Sequence, residues 1–267
     1  MKLSEALVLS IDTETTGPDP TSDRVVELGG AYLRGTERLG PGLRALVNPG
    51  IYIPAGATNV HGIRNEDIEK AEPWTGVAAR LKAHLDQLQP VLTGYNLLGF
   101  DAPLINAENR RNGLGWELPP ALDTFVFAWY GHRELRSRKL SAICELYGVP
   151  LPADQAHTAD ADSLACGWLL MGMVQVGLIP DDVEGAFARQ RELQALYAEE
   201  TRRFGRYLFP DRDTQVLRIG LGKHAGTALD DADEEYLNWL IGRPDLPDEA
   251  RHVLNRKLGR IEQQTLF

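Results

Sequence analysis

Two carboxylates near the start of the chain have the spacing of a metal site. Asp12 and Glu14 lie two residues apart at the end of a predicted buried strand, residues 6–11. Because side chains alternate along a strand, both carboxylates point to one face of the sheet. They repel there unless a cation neutralises them, and an all-oxygen site of this kind suits Mg²⁺ or Mn²⁺. An Asx-type turn that caps the strand, with Glu14 exposed, is an equally good interpretation.

A third carboxylate, Asp101, comes just before a predicted helix that opens at Pro103. Taken alone, this position favours a residue that compensates the dipole at a helix N-terminus over a metal ligand. The nearby Asn96 and Phe100 fit a turn and a core position equally well.

The third element contains His157 and Asp162. They are five residues apart, about 500° around a helix at ~100° per residue, so they cannot share one helix face. We therefore expect His157 on a loop and Asp162 one turn into a buried helix that begins near Ala159. A lone inward carboxylate is costly there, and a metal partner removes that cost. The alternative for His157 is a surface-loop histidine.

Together, these residues resemble the three sequence motifs of the DnaQ-like (DEDDh) 3′–5′ exonuclease family. The motifs are Asp-x-Glu-Thr-Thr-Gly from Asp12, Asn-x-x-x-Phe-Asp from Asn96 and His-x-x-x-x-Asp from His157, within residues 5–178. The tyrosine branch of the superfamily has Tyr four residues before the last Asp. Thr158 stands at that position, so the sequence resembles the histidine branch.

The resemblance implies a ribonuclease-H-like fold in which four carboxylates hold two divalent ions, Mg²⁺ or Mn²⁺. It also implies that His157 is a general base that takes a proton from the attacking water. The implied metal ligands are Asp12, Glu14, Asp101 and Asp162. The implied substrate-binding residues are Thr13, Thr15, Thr16, Gly17, His61, Asn96 and Phe100. For His61 a structural turn is an equal alternative, and Asp123, outside the ligand set, is expected to be structural.

A basic segment, residues 129–139, carries four basic side chains against one acidic one. Beside an acidic cleft, such a segment with flanking aromatic residues is typical of a track for single-strand phosphates. A solvated loop with Trp129 in the core is the alternative. The candidate strand-binding residues are Arg133, Arg136, Arg138, Lys139 and, near the C-terminus, Lys223.

The order of elements predicts a layered α/β or α+β fold. The family resemblance implies the first, an α/β fold with a ribonuclease-H-like mixed sheet flanked by helices, and a small α+β module follows at the C-terminus. We expect an exonuclease domain over residues 1–180, a connecting helix over 181–212 and the module over 213–267. The module resembles the one attached to some exodeoxyribonuclease X-like enzymes, through its Gly-Lys-x-x-Gly turn at 222–226 and Tyr-Leu-x-Trp-Leu helix at 236–240. The alternative is a packing or partner-docking module.

The composition excludes a protein that coats nucleic acid by bulk charge. Lys and Arg total 28 against 38 Asp and Glu, for a net charge of −10, although a local basic track remains compatible. Cys144 and Cys166 have no metal or redox spacing, so we expect core thiols in a reducing compartment. The apolar stretch 164–179 is shorter than the ~20 residues that cross a bilayer. We therefore expect a cytoplasmic protein with no membrane partner.

These observations predict a metal-dependent 3′–5′ exonuclease that releases nucleoside monophosphates from single-stranded DNA ends, in repair or strand turnover. An exoribonuclease of the same family is an alternative, since nothing in the sequence visibly reads the 2′-hydroxyl. A polymerase proofreading subunit is a second alternative. An alternative from another class is a non-catalytic nucleic-acid-binding scaffold. Such a scaffold would need none of the five active-site residue types, so the presence of all five argues against it.

Overall fold

The computed structural model describes residues 1–133, 135, 137–151, 158–211 and 214–260. Within these ranges the chain forms a mixed sheet flanked by helices, and a smaller two-stranded sheet. The strands are β1 (Val8–Thr15), β2 (Val25–Arg34), β3 (Glu37–Arg38), β4 (Leu43–Asn48), β5 (Glu72–Pro73), β6 (Val91–Gly94), β7 (Ala121–Asp123), β8 (Leu208–Pro210) and β9 (Leu217–Ile219). The helices are α1 (Ala55–His61), α2 (Asn65–Ile68), α3 (Trp74–Leu88), α4 (Asp101–Arg111), α5 (Thr124–Gly131), α6 (Leu140–Tyr147), α7 (Ala159–Gln175), α8 (Val183–Phe204), α9 (Glu234–Ile241) and α10 (Asp248–Lys257).

The larger sheet has the strand order β5-β4-β2-β1-β6-β7, and β3 pairs with β2. β1 runs antiparallel to β2 and parallel to β6, and β6 runs parallel to β7. The carboxyl ends of β1, β6 and β7 therefore meet at one edge of the sheet. In open α/β sheets, ligands bind in a crevice outside the carboxyl ends of the strands. The sheet thus brings together three distant stretches of sequence.

The core of this sheet is formed by apolar side chains from its strands and from α3. Ile11, Trp74, Leu81 and Leu92 belong to one buried cluster. β2 is buried along all but its last residue, as expected for a strand covered on both faces. Such packing fixes the central strands rigidly, which favours precise placement of side chains at their ends.

Two compact units make up the chain. Unit 1 comprises residues 1–128 and 138–190, and unit 2 comprises residues 129–137 and 191–267. The core of unit 2 is built from the end of α8, the β8–β9 hairpin, α9 and α10, and it includes Phe204, Tyr207, Leu237 and Leu254. This core uses residues on both sides of position 213, where we expected the module to begin.

The predicted fold class, an α/β mixed sheet flanked by helices with a small C-terminal α+β part, is confirmed. The first strand is longer than predicted: it continues through Asp12 and Glu14 to Thr15. Residues 164–175 of the apolar stretch lie in α7, and most of that helix is buried. In the part of the chain that the structure describes, no helix combines the length and the hydrophobicity needed to cross a membrane.

Candidate active site

Three carboxylates converge at the end of the central strand. Asp12 and Glu14 alternate with inward-facing residues of β1, and Asp162 is the fourth residue of α7, which packs on β1 and β2. One carboxylate oxygen from each lies within 4.8 Å of the other two. We call these residues the carboxylate trio.

Burial and mutual repulsion shape the electrostatics of the trio. Burial raises the pKa of Asp12 well above its ordinary value, and the neighbouring charges of Asp101, Asp162 and Glu14 raise it further. The pKa of Glu14 rises from its ordinary 4.5 to about 8, first because of burial and then because of Asp162. Without a cation, such an arrangement favours protonated side chains at neutral pH.

This donor set fits a divalent metal ion. All three side chains offer hard oxygen ligands, which are the ligands that Mg²⁺ and Mn²⁺ prefer. The largest charge effects on Asp12 come from other carboxylates, so a shared cation would remove an electrostatic cost that the fold otherwise carries. The trio therefore has both the chemistry and the proximity of a metal site.

Asp101 lies outside the trio, although its charge acts on Asp12. It is buried at the start of α4, and its Oδ1 accepts hydrogen bonds from the Thr13 N–H at 2.9 Å and the Thr13 hydroxyl at 2.6 Å. Burial raises the pKa of Asp101 to about 7, and these two hydrogen bonds oppose the rise. Helix α4 begins at Asp101, two residues earlier than predicted.

The loop before Asp101 is organised by Asp123, which we expected to be structural. At the end of β7, the Asp123 carboxylate accepts N–H groups from Asn96 at 2.8 Å, Leu98 at 3.0 Å and Phe125 at 3.0 Å. Asn96 is exposed and adopts a left-handed conformation with φ of 59°. The loop is thereby held rigidly between β6 and Asp101.

Phe100, the second predicted substrate residue of this region, is half-buried and directly precedes α4. Asn96 and Phe100 flank the same loop, and Phe100 N–H donates to the Asn96 carbonyl at 2.9 Å. Both residues therefore lie on the segment that leads from β6 to Asp101.

The turn after β1 contains the predicted nucleotide contacts Thr15, Thr16 and Gly17. Thr15 donates its hydroxyl to the Gly17 carbonyl at 2.9 Å, and Thr16 donates its hydroxyl to Asp23 Oδ1, also at 2.9 Å. A Cβ on Gly17 would lie 2.6 Å from an Asp23 oxygen, so a side chain at this position would displace the Asp23 carboxylate. Asp23 thus fixes the shape of this turn, a role that the sequence did not suggest.

His61 lies at the end of α1 and is buried. Its Nδ1 accepts the Ile63 N–H at 3.0 Å, so the ring proton is on Nε2. Burial lowers the pKa of His61, and the Thr15 backbone partly opposes this effect. The histidine is therefore neutral at physiological pH and lies near the end of β1.

Two predicted residues, His157 and Arg136, lie outside the described residues. In unit 1, Lys139 is exposed and Arg138 is half-buried, with its carbonyl accepting the Tyr95 hydroxyl. Both immediately precede α6.

The other two basic candidates lie in unit 2, and their environments differ. Arg133 is 6% exposed, pairs with Glu200 and lies 4.0 Å from the centre of the Trp129 ring. Its guanidinium is therefore buried and paired within unit 2. Lys223 is 67% exposed and 3.5 Å from Asp233, so its ammonium remains accessible to solvent.

Glu27, a buried carboxylate on β2, faces Glu14 across the β1–β2 pair and was not predicted from the sequence. The available signal was a single charged residue within the otherwise largely apolar run 25–33, which is costly unless it is paired.

Comparison with known proteins connects this geometry to a family. An exonuclease family model, RNase T, matches residues 9–169, which includes the trio and Asp101. Sequence relatives include a PolC-type DNA polymerase III of Ureaplasma parvum, 27% identical over 162 residues, and a DNA polymerase III subunit epsilon-like protein of Rhodobacter capsulatus, 30% identical over 165 residues. Each alignment covers 61% of this chain but 11% and 23% of those relatives, so the chain spans less than a quarter of their length.

Solved structures agree with the fold. E. coli exonuclease I in complex with a dA16 oligonucleotide has a TM-score of 0.53 at 21% identity, over 74% of this chain and 44% of that chain. Exonuclease X in complex with 5′-overhanging duplex DNA has a TM-score of 0.52 at 16% identity, over 68% of this chain and 99% of that chain. These similarities show the fold, and the family model covers more than half of the residues. The chain belongs to the RNase T exonuclease family, which confirms the DnaQ-like DEDDh resemblance of its motifs.

Proposed function

We propose that this protein is a metal-dependent 3′–5′ exonuclease that hydrolyses phosphodiester bonds at the 3′ ends of single-stranded DNA and releases nucleoside monophosphates. The observation that carries the proposal is the carboxylate trio, with its oxygens within 4.8 Å of one another at the end of β1. Family membership supplies the reaction class, and the trio supplies a place where that reaction can occur.

In this proposal the trio would hold one divalent ion, Mg²⁺ or Mn²⁺, and Asp12 together with Asp101 would hold a second. Bound ions of this kind lower the pKa of coordinated water and stabilise charge on phosphate oxygens. Since Oδ1 of Asp101 already accepts two hydrogen bonds from Thr13, Asp101 would act through Oδ2.

His157 is the general base of the proposed mechanism. This assignment rests on its motif, five residues before Asp162, since an imidazole titrates near neutral pH and can accept the proton of the attacking water. Its role would be to remove that proton as the water attacks the phosphorus of the last phosphodiester bond, so that the 3′ oxygen of the preceding nucleotide leaves and a nucleoside monophosphate is released.

The terminal nucleotide would lie against the turn after β1. Gly17 allows a close approach of backbone to ligand, and Asp23 holds the turn in shape through Thr16. The further residues proposed to contact the terminal nucleotide are Thr13, Thr15, His61, Asn96 and Phe100.

For the rest of the strand we propose contacts from Arg138, Lys139 and Lys223. Exposed cations can track the phosphates of a single strand, and Lys139 and Lys223 are exposed. We also propose that residues 213–267, together with the connecting helix 181–212, act as a strand-binding module on an exonuclease domain over 1–180. Arg133 is omitted because its guanidinium is buried and paired with Glu200.

The proposal of DNA as substrate is supported by the ligands in solved structures of similar fold, a dA16 oligonucleotide on exonuclease I and 5′-overhanging duplex DNA on exonuclease X. A second candidate function is proofreading for a polymerase. It is favoured by the two polymerase III relatives, which are 27% and 30% identical to this chain.

The test is a time course on matched 5′-labelled single-stranded DNA and RNA oligonucleotides with Mg²⁺, Mn²⁺ or chelator. We expect a metal-dependent ladder that shortens from the 3′ end, faster on DNA and absent for His157→Ala. A faster ladder on RNA would instead support an exoribonuclease. Intact oligonucleotides in every condition, with binding retained, would support a non-catalytic scaffold.

A further inference from the structure

A fourth carboxylate lies beside the trio and has a different environment. Glu27 is 1% exposed and sits opposite Glu14 in the β1–β2 register. All the remaining residues of β2 up to Leu33 are apolar or glycine, apart from Tyr32 with its hydroxyl group. A charged side chain in such a strand is costly unless each of its oxygens finds a partner.

Both oxygens of Glu27 have partners from other elements. Oε1 accepts from Arg44 Nε of β4 at 2.8 Å, and Oε2 accepts the N–H of Ala159 at 3.2 Å. Ala159 is the first residue of α7, and the first N–H groups of a helix have no acceptor inside it. A carboxylate at this end also interacts favourably with the helix dipole.

Gly29 provides a second, independent contact with the same helix turn. It lies two residues after Glu27, on the same face of β2. A Cβ on Gly29 would overlap the backbone carbonyl of Ala159 and the amide nitrogen of Asp160. The start of α7 therefore rests directly on the β2 backbone.

Asp162 belongs to this first turn of α7, and its N–H donates to the Thr158 carbonyl at 3.0 Å. A displacement of the turn would therefore move the Asp162 carboxylate relative to Asp12 and Glu14. We propose that Glu27 is a positioning residue: it fixes the start of α7 on β2 and so sets the geometry of the carboxylate trio. Arg44 balances its charge. This inference rests on the proposed function only in treating the trio as a metal site.

Two conservative variants separate position from charge. Glu27→Gln loses the charge but keeps a side-chain oxygen that can accept the Ala159 N–H. Its amide group would then face Arg44, and Arg44 can turn to solvent because 58% of its side chain is exposed. Glu27→Asp keeps the charge but withdraws the carboxylate by one methylene. Positioning predicts that Glu27→Asp is the more damaging variant, whereas a purely electrostatic role predicts the reverse.

Mn²⁺ titration of the metal-free protein, followed by the EPR signal of free Mn²⁺, measures the effect without activity. We expect Glu27→Asp to bind Mn²⁺ about tenfold more weakly than wild type, as is common when a group that orients metal ligands is disturbed. Glu27→Gln should lose much less Mn²⁺ affinity than Glu27→Asp. Hydrogen exchange at the start of α7 should accelerate in Glu27→Asp and remain slow in Glu27→Gln.

The matched control is Glu200→Gln, which disrupts another buried ion pair, with Arg133 in unit 2. It should lower stability without changing Mn²⁺ affinity. Equal losses in Glu27→Asp and Glu27→Gln, the reverse order, or unchanged exchange at α7 in Glu27→Asp would overturn the positioning role. If wild type itself binds no Mn²⁺, the proposed metal site fails, and the exchange measurement still tests whether Glu27 holds α7.

Discussion

Thr13 holds Asp101 through two donors on a single oxygen. Its N–H and its hydroxyl both donate to Asp101 Oδ1, at 2.9 and 2.6 Å, and both residues are buried. Thr13 stands between Asp12 and Glu14 on β1, so one strand supplies two of the candidate metal ligands and orients a third. This contact joins β1 to α4 across 88 positions of sequence.

We predict that Thr13→Val lowers kcat about tenfold, in the range seen when partners of metal ligands are removed. Valine keeps the shape and the backbone N–H but loses the hydroxyl donor. Since that hydrogen bond lowers the pKa of Asp101, the pKa of Asp101 should rise in the metal-free variant, which NMR titration can follow. Thr93→Val removes another buried hydroxyl, which donates to the Leu122 carbonyl at 2.8 Å. That control should lose stability while keeping kcat; equal kcat losses would contradict the role of Thr13.

We predict that Asp12→Asn abolishes cleavage and raises the melting temperature in chelator. The substitution removes a carboxylate whose ionised form is opposed by burial and by four neighbouring carboxylates, and such repulsion in an active site reduces stability. Asp162→Asn should behave in the same way. Calorimetry measures the melting temperatures, and Asp86→Asn is the control. Asp86 is an exposed aspartate of α3, so its substitution should change neither the melting temperature nor cleavage. Near-normal cleavage by Asp12→Asn would refute the metal site.

Stability in chelator should fall as pH rises. Glu14 holds its proton in the folded protein until about pH 8, whereas in the unfolded chain it loses it near the ordinary value of 4.5. The folded state therefore binds more protons in this window, and the free energy of unfolding decreases with increasing pH.

Urea unfolding at several pH values, with chelator and with saturating Mg²⁺, measures this effect. Mg²⁺ should stabilise the protein most at the upper end of the window, because it binds the ionised carboxylates. Glu14→Gln should flatten the dependence. A free energy of unfolding that rises with pH between 5 and 8 in chelator would contradict the electrostatic description of the trio.

Lys223→Ala should weaken binding of single-stranded DNA without lowering kcat at saturation. Loss of one phosphate contact should reduce the slope of log affinity against log salt by about 0.7. Fluorescence anisotropy at several salt concentrations measures the affinity for DNA and this slope. Lys257→Ala, in the same unit and paired with Asp230 at 2.7 Å, is the control. Identical slopes for both variants and wild type would remove Lys223 from the strand-binding surface.

Point variants are preferable to deleting residues 213–267. The core of unit 2 packs Phe204 and Tyr207 against Leu237 and Leu254. A chain that ends at residue 212 would expose the first two side chains, so loss of DNA binding after such a deletion would not separate a missing contact from a misfolded unit.

The strand carboxylates were predictable because the evidence for them is local. Asp12 and Glu14 follow an apolar run with the two-residue period of a strand, and the helical period placed Asp162 one turn into α7. The alternation of strands and helices likewise indicated a layered α/β fold.

Contacts between distant segments left no such pattern. Glu27 and Ala159 are 132 residues apart, and nothing in either segment identifies the other. Arg133 looked like a strand-binding cation because its neighbours are basic, but tertiary packing buries it against Trp129 and Glu200. Local composition does not reveal whether a charged side chain has a buried partner.

The most direct test of the central claim is the cleavage rate of a 5′-labelled single-stranded DNA oligonucleotide as a function of Mg²⁺ concentration, for wild type and Asp162→Asn. We predict that wild type shortens the oligonucleotide from its 3′ end with saturable dependence on Mg²⁺. Asp162→Asn should remain folded and leave the oligonucleotide intact at every concentration. Cleavage by wild type in chelator, or comparable rates for the two proteins, would contradict the assignment of the carboxylate trio as the metal-binding catalytic centre.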